Sequence, residues 1–223
     1  MKKLYLPGIV LVLTFSLFFQ NGYSQQAQQY LSFEQGYVQQ DNTNTLPSRE
    51  TANGGEDYYR ISYEFSGALH NSVEVEGTKY DFLHIKGFAK MGQVGAPALP
   101  AHNEIVAMPR GASAKIVLVN TEYYEYEGFM IHPALEPATD TYGDPEPEFQ
   151  IDEEIYTANE FFPKNIVEVT HVKLSRGTPL AVVQARPVRF NPVTGVIRVY
   201  TNIEYKIEYE GAAASFSEIA STN

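Results

Sequence analysis

Cysteine and tryptophan are both missing from the 223 residues. Without cysteine the chain has no thiol nucleophile and no disulfide framework, and it cannot be a lipoprotein. A secreted domain of this sequence must hold together by its core alone. Sugar-cleaving sites normally sit among tryptophan platforms, so the many carboxylates carry no positive sign of glycoside chemistry. Basic residues are also scarce: 16 Lys and Arg face 27 Asp and Glu, a net charge of −11. That balance disfavours nucleic acid and anionic membranes as partners, and it suits solubility, divalent cations or a basic partner surface. There is no Gly-x-Ser-x-Gly turn for a serine nucleophile. The five histidines, His70, His84, His102, His132 and His171, stand singly on strand-like stretches or at their ends. Each reads as a surface or satisfied side chain, and no residue is assigned a catalytic, cofactor or metal role. No long amphipathic helical pattern and no internal repeat is present.

What is there begins with Lys2 and Lys3, an apolar run from Leu4 to Phe19, and the small residues Gly22 and Ser24. This is the layout of a secretory signal peptide over residues 1–24, cleaved after Ser24. The run is short for a bilayer and is interrupted by Pro7. Its removal takes two lysines and leaves a charge of −13. Residues 25–56 are rich in Gln, Asn, Thr and Gly and read as a flexible N-terminal arm, in which "YLSFEQGYV" has the pattern of one edge strand. From 57 to 210 the texture is that of strands. Tyr59, Ile61, Tyr63 and Phe65 alternate with Arg60, Ser62 and Glu64, the period of a half-buried strand. Strand-like runs recur at short spacing, punctuated by turn residues at Glu76-Gly77, Pro109-Arg110-Gly111 and Asn191-Pro192-Val193-Thr194-Gly195. The expected fold is all-β, an antiparallel β-sandwich with barrel-like character. Residues 211–223 are a tail, or the start of a linker.

Two stretches break the rhythm. "VGAPALPAHNEIVAMPRG" carries Pro97, Pro100 and Pro109, which remove backbone donors and fix φ. No helix and no central strand is expected to pass through Gly95–Pro100. Between Pro133 and Pro163 lies a long loop with five prolines, many acids and no Lys or Arg. Loops of this length in compact domains are functional or disordered. Asp140, Asp144, Glu146, Glu148, Asp152, Glu153 and Glu154 are oxygen donors of the kind calcium takes, but their spacing does not match an EF-hand. A solvated acidic loop is the simpler reading.

In order along the chain, "VGAPALP", "EIYTANEFFP" and "LSRGTPLAVVQARPVRFNPVTGVIRVYTNIEYKI" resemble the propeptide of family C25 cysteine peptidases, the gingipains and their relatives. The landmark residues are Gly95, Pro97, Leu99 and Pro100; Phe162 and Pro163; Arg176 and Gly177; and Asn191, Pro192 and Thr194. The similarity spans roughly residues 58–209. It implies a secreted or periplasmic prodomain of a Gram-negative envelope, which assists the folding of a caspase-like catalytic domain and covers its active-site cleft until proteolysis removes it. The partner would be that catalytic domain, in cis or in trans. The cleft contact is then expected at Pro137, Ala138, Thr139, Asp140, Thr141 and Tyr142. In relatives that cleave after arginine, a basic loop residue is implied to enter the specificity pocket, and the matching position here falls near Thr139, Asp140 or Thr141. Either the cognate peptidase does not prefer basic residues, or the loop covers the cleft without filling the pocket. The family's catalytic domain would follow the prodomain, and the sequence stops at Asn223; a fragment, a split reading frame and a prodomain acting in trans are all compatible with that. A stand-alone envelope module binding carbohydrate or calcium is the alternative, and an enzyme in its own right is third.

Overall fold

The computed structural model describes residues 28–38, 45–137 and 147–211. The signal segment with Ser24, the stretch Ala138–Tyr142 and the tail beyond Gly211 lie outside them. Among the described residues, thirteen strands and one short helix follow in order: β1 (Gln29–Ser32), β2 (Gly36–Val38), β3 (Ser48–Asn53), β4 (Tyr58–Glu64), β5 (Gly67–Val75), β6 (Thr78–His84), β7 (Ala89–Met91), β8 (Leu99–Ala107), β9 (Ser113–Tyr126), α1 (Glu153–Tyr156), β10 (Val167–Ser175), β11 (Thr178–Ala185), β12 (Val188–Asn191) and β13 (Val196–Glu210).

They form three antiparallel sheets: β2-β1-β5-β6, β10-β11-β8-β7, and β12-β13-β4-β3 with β9 along the other side of β13. The expected sandwich is present, and each strand path is open rather than closed into a barrel. Period-two burial explains the layering. On β13, Ile203, Tyr205 and Ile207 are fully buried between half-exposed neighbours. They meet Ile61 and Tyr63 of β4, Leu31 of β1, Leu83 of β6 and Ala181 and Val183 of β11 in one apolar cluster. Two irregularities in the β9–β13 register, at Tyr200/Asn202 and Glu204/Tyr205, let this long pair bend across the core.

Two expectations need correction. Within residues 25–56 the stretch expected as one edge strand forms two, β1 and β2, paired with each other, and it is held on a sheet rather than loose: β1 adds to β5, while β3 pairs with β4. The reason is burial, since Leu31 and Phe33 are wholly removed from solvent, and a polar average over the stretch hid these few anchors. The proline stretch also does not stay outside the strands. Leu99 and Pro100 open β8, and Pro100 lies opposite Lys90 of β7. At the first positions of a strand the missing donor is tolerated, and the interior pairing with β11 begins only at His102.

Candidate functional site: the base of the acidic loop

The segment Gly95–Pro100 is buried throughout, and its backbone grips both limbs of the loop that runs from Pro133 to Pro163. On the outgoing limb, Gly95 N–H donates to Ala134 O (2.8 Å), Ala134 N–H to Ala96 O (2.8 Å) and Ala98 N–H to His132 O (2.9 Å). On the return limb, Asp152 N–H donates to Gly95 O (2.9 Å). One residue therefore bonds both limbs, and it must be glycine. Its φ is +87°, and a Cβ there would sit 2.9 Å from Asp152 N.

The outgoing limb is also stitched to β6. Asp81 N–H donates to Met130 O (2.7 Å) and His132 N–H to Asp81 O (3.0 Å), while Met130 N–H donates to Asp81 Oδ2 (2.8 Å). The Asp81 carboxylate is only 3% exposed, so its charge needs compensation. The second oxygen, Oδ1, receives it from His70 Nε2 at 2.9 Å, and His70 Nδ1 in turn accepts from the Tyr37 hydroxyl at 2.9 Å. Burial, and then the Asp81 charge, push the Tyr37 phenol up to about 12. The β2 residue Tyr37 is thus wired to the root of the loop. His132 itself lies in a box of rings, stacked on Phe82 at 4.6 Å and edge-on to Tyr80 and Phe149 at 5.7 and 5.3 Å.

The return limb is fixed by a cap and two arginines. Asp152 accepts from Ile155 N–H (3.2 Å) and starts α1. This places Tyr156 so that its hydroxyl donates to Ile131 O (2.6 Å), joining limb to limb. Further on, Phe162 and Phe190 exchange backbone hydrogen bonds (2.8 and 2.7 Å). Arg189 donates to Pro163 O (2.8 Å) and Phe161 O (3.0 Å), and the Arg198 guanidinium lies 4.2 Å from the Phe161 ring centre. Asn191 donates to Asn159 Oδ1 (3.0 Å) while its own Oδ1 accepts from Val193 and Thr194 N–H.

The structure brings together Gly95, Pro97, Leu99, Pro100, Phe162, Pro163 and Asn191 at or beside this base. Pro192 and Thr194 belong to the turn that Asn191 organises. Arg176 and Gly177 form a separate feature, the tip of the β10–β11 hairpin beside Arg110. Of the expected cleft-contact residues only Pro137 is described, and it is exposed; Asp140, Asp144 and Glu146 also fall outside. Among the described residues no group of His, Asp or Glu is arranged to hold a metal ion. The sequence alone reads His132 as a surface or satisfied side chain and Asp152 as one oxygen donor of an acidic loop, and it gives Asp81, Tyr156, Arg189 and Arg198 no role at this base. Two signals are present in the sequence: Asp81 is a carboxylate set between the aromatic residues Tyr80 and Phe82, and Asp152 before a short acidic turn is an N-cap pattern.

The Propeptide_C25 family model matches residues 35–221, which covers most of the chain. The chain belongs to that family. This C25 propeptide is 25% identical over 162 residues to Lys-gingipain of Porphyromonas gingivalis, a match that covers 69% of the chain and 9% of that protein. Gingipain R1 of the same organism is 26% identical over 113 residues, covering 51% and 11%. The propeptide therefore spans about a tenth of the length of the curated relatives it matches. Its fold is shared with two solved structures. One, from work on the zymogenic latency of gingipain K, has a TM-score of 0.66 at 21% identity, with 83% of this chain and all of that one covered. The other, a complex of P. gingivalis RgpB pro- and mature domains, has a TM-score of 0.66 at 17% identity, with 75% and 86% covered. No helix among the described residues is long and apolar enough to cross a membrane.

Proposed function

We propose that this C25 propeptide is a secreted prodomain, itself without catalytic activity, that assists the folding of a gingipain-like catalytic domain and covers its active-site cleft until proteolysis removes it. The loop tip, Pro137 to Tyr142 and the acids that follow, is the part laid across the cleft. The observation that carries the reading is the doubly anchored base. Gly95 bonds both limbs, Tyr156 ties them to each other, and two arginines hold the return, so the tip is delivered from a fixed frame. Pre-ordering of this kind lowers the entropy cost of docking. With no Lys or Arg between Pro133 and Pro163, the tip offers no cationic side chain to an acidic specificity pocket, where such a side chain would carry most of the recognition. The cognate enzyme is therefore one that does not require a basic residue there, or one whose pocket is left unfilled.

The test is direct. The purified propeptide is mixed with the C25 catalytic domain encoded in the same genome, and a variant with residues 138–146 replaced by a short Gly-Ser linker is run beside it. Tight inhibition by the first and a loss of at least about tenfold in the second supports the reading. No binding, and no change in peptidase activity, defeats it.

A further inference from the structure

We propose that His132 is a pH-sensitive latch: its neutral imidazole holds the two limbs of the acidic loop together, and its protonation in mild acid releases them. The switch is argued from the base alone, and only its consequence, weaker cleft coverage in acid, rests on the function proposed above.

The placement of His132 makes it the junction of the base. It is 7% exposed, and its backbone is shared between β6, through N–H to Asp81 O, and the proline segment, through O from Ala98 N–H. Its ring touches Phe82 and Tyr80 of β6 and, across the loop, Phe149 of the return limb. Phe149 also leans on Tyr80 at 5.2 Å. The contact between outgoing and return limbs therefore includes the histidine ring directly. Its Nδ1 lies 2.7 Å from Pro133 O and donates to it, which is the neutral tautomer with the proton on Nδ1, or the cation.

The groups around the ring disfavour the cation. From β7, Lys90 lies with its ammonium 4.2 Å from the Phe82 ring centre, on the aromatic ring that His132 stacks against. From β6 come Tyr80, a neutral phenol, and Asp81, whose carboxylate is occupied by His70 and Met130 N–H and has the Lys79 ammonium 4.0 Å from Oδ1. From the return limb come the exposed Glu148, next to Phe149, and the Tyr156 hydroxyl, which is given to Ile131 O. Gly95–Pro100 supplies no titratable group. Among the described residues, the charge that acts on His132 is therefore a like one. Burial first, and Lys90 second, hold the His132 pKa below its ordinary value, against the pull of Pro133 O. For a histidine lowered in the folded state, the unfolded or opened ring takes up its proton first. The closed base is fully favoured above about pH 6.5 and loses that advantage as pH falls toward the folded value. In that window a charged ring leaves the box, taking with it the Phe149 contact and the bonds of Ala98 and Ala134.

The experiment is amide hydrogen exchange on the full chain, corrected for the intrinsic pH dependence of exchange, between about pH 7.5 and about pH 5.5. The opening equilibrium of segments 94–98, 130–134 and 149–152 is expected to rise roughly threefold or more, while β13 stays constant as the internal reference. His132→Phe, which fits the ring box, should abolish the rise. A base whose opening does not change with pH, or a wild-type His132 ring that titrates by NMR at or above about 6.5, overturns the latch. The NMR measurement needs no variant and stands if His132→Phe fails to fold. Acid opening without inhibition of any C25 peptidase would sink the proposed function and keep the latch; inhibition with a base that stays closed in acid would do the reverse.

Discussion

Tyr205 is buried completely on β13, and among the described residues its hydroxyl has no hydrogen-bond partner. An unpaired buried hydroxyl costs its desolvation with nothing returned, about 1 kcal/mol or more. Tyr205→Phe is expected to raise stability by about 1 kcal/mol in urea unfolding, and a clear loss would mean the hydroxyl has a use that the geometry does not reveal. Glu104, nearby on β8, is the opposite case. Arg49 of β3 grips it with two bonds, Nε to Oε1 at 2.6 Å and Nη2 to Oε2 at 2.9 Å, and the Tyr63 hydroxyl donates to Oε1 as well. Burial alone would raise the Glu104 pKa, but these bonds outweigh it and hold the carboxyl below the usual range. A lowered folded pKa gives stability that is present above the unfolded value, about 4.3, and is lost as pH falls through the folded one. The stability gap between wild type and Glu104→Gln should therefore be wide at neutral pH and shrink below about pH 4. An unchanging gap across urea melts at several pH values would contradict this.

Among the elements, β1 shows its strand pattern in "YLSFEQGYV" but not its burial. Its stretch averages as polar, yet Leu31 and the adjoining Phe33 are fully buried. Phe33→Ala is expected to cost about 3–5 kcal/mol, measured by thermal or urea unfolding; a cost near zero would restore the picture of a loose arm. The hairpins were more legible. Glu76-Gly77 and Arg176-Gly177 both have positive φ at both positions, as a two-residue type I′ turn demands, and the alternation of β4 and β13 is plain in the sequence. The loop base was not legible, for a physical reason. Its bonds run between backbone groups of Gly95, Ala96, Ala98, Ala134 and Asp152, far apart in the chain, and backbone pairing at a distance leaves little trace in side-chain pattern. Glycine at 95 is the exception, because a positive φ and the close approach of Asp152 exclude a side chain there. The prolines are the visible part of the motif, but the residue that joins the two limbs is the glycine before them.

At the scale of the whole molecule, charge is distributed in a way that bears on docking. The chain carries −11 overall, and the loop from Pro133 to Pro163 holds no Lys or Arg at all. Arginines do approach the loop, but Arg189 and Arg198 are committed to its root at Phe161 and Pro163, which leaves the acids of the tip without a cation of their own segment. A tip of one sign on a body of the same sign projects a negative field, and it will be drawn toward a positive rim and slowed by salt. If the proposed function holds, the association rate with the cognate catalytic domain should fall about tenfold between low salt and about 0.3 M, while the dissociation rate changes little. Replacing Asp140, Asp144 and Glu146 together by Asn, Asn and Gln should flatten that salt dependence without lowering the unfolding midpoint by more than about 0.5 kcal/mol equivalent. Stopped-flow association across a salt series measures the first effect and urea melts the second. A rate independent of salt in the wild type would assign the encounter to the apolar surface of the sandwich and leave the acidic tip a role only after contact.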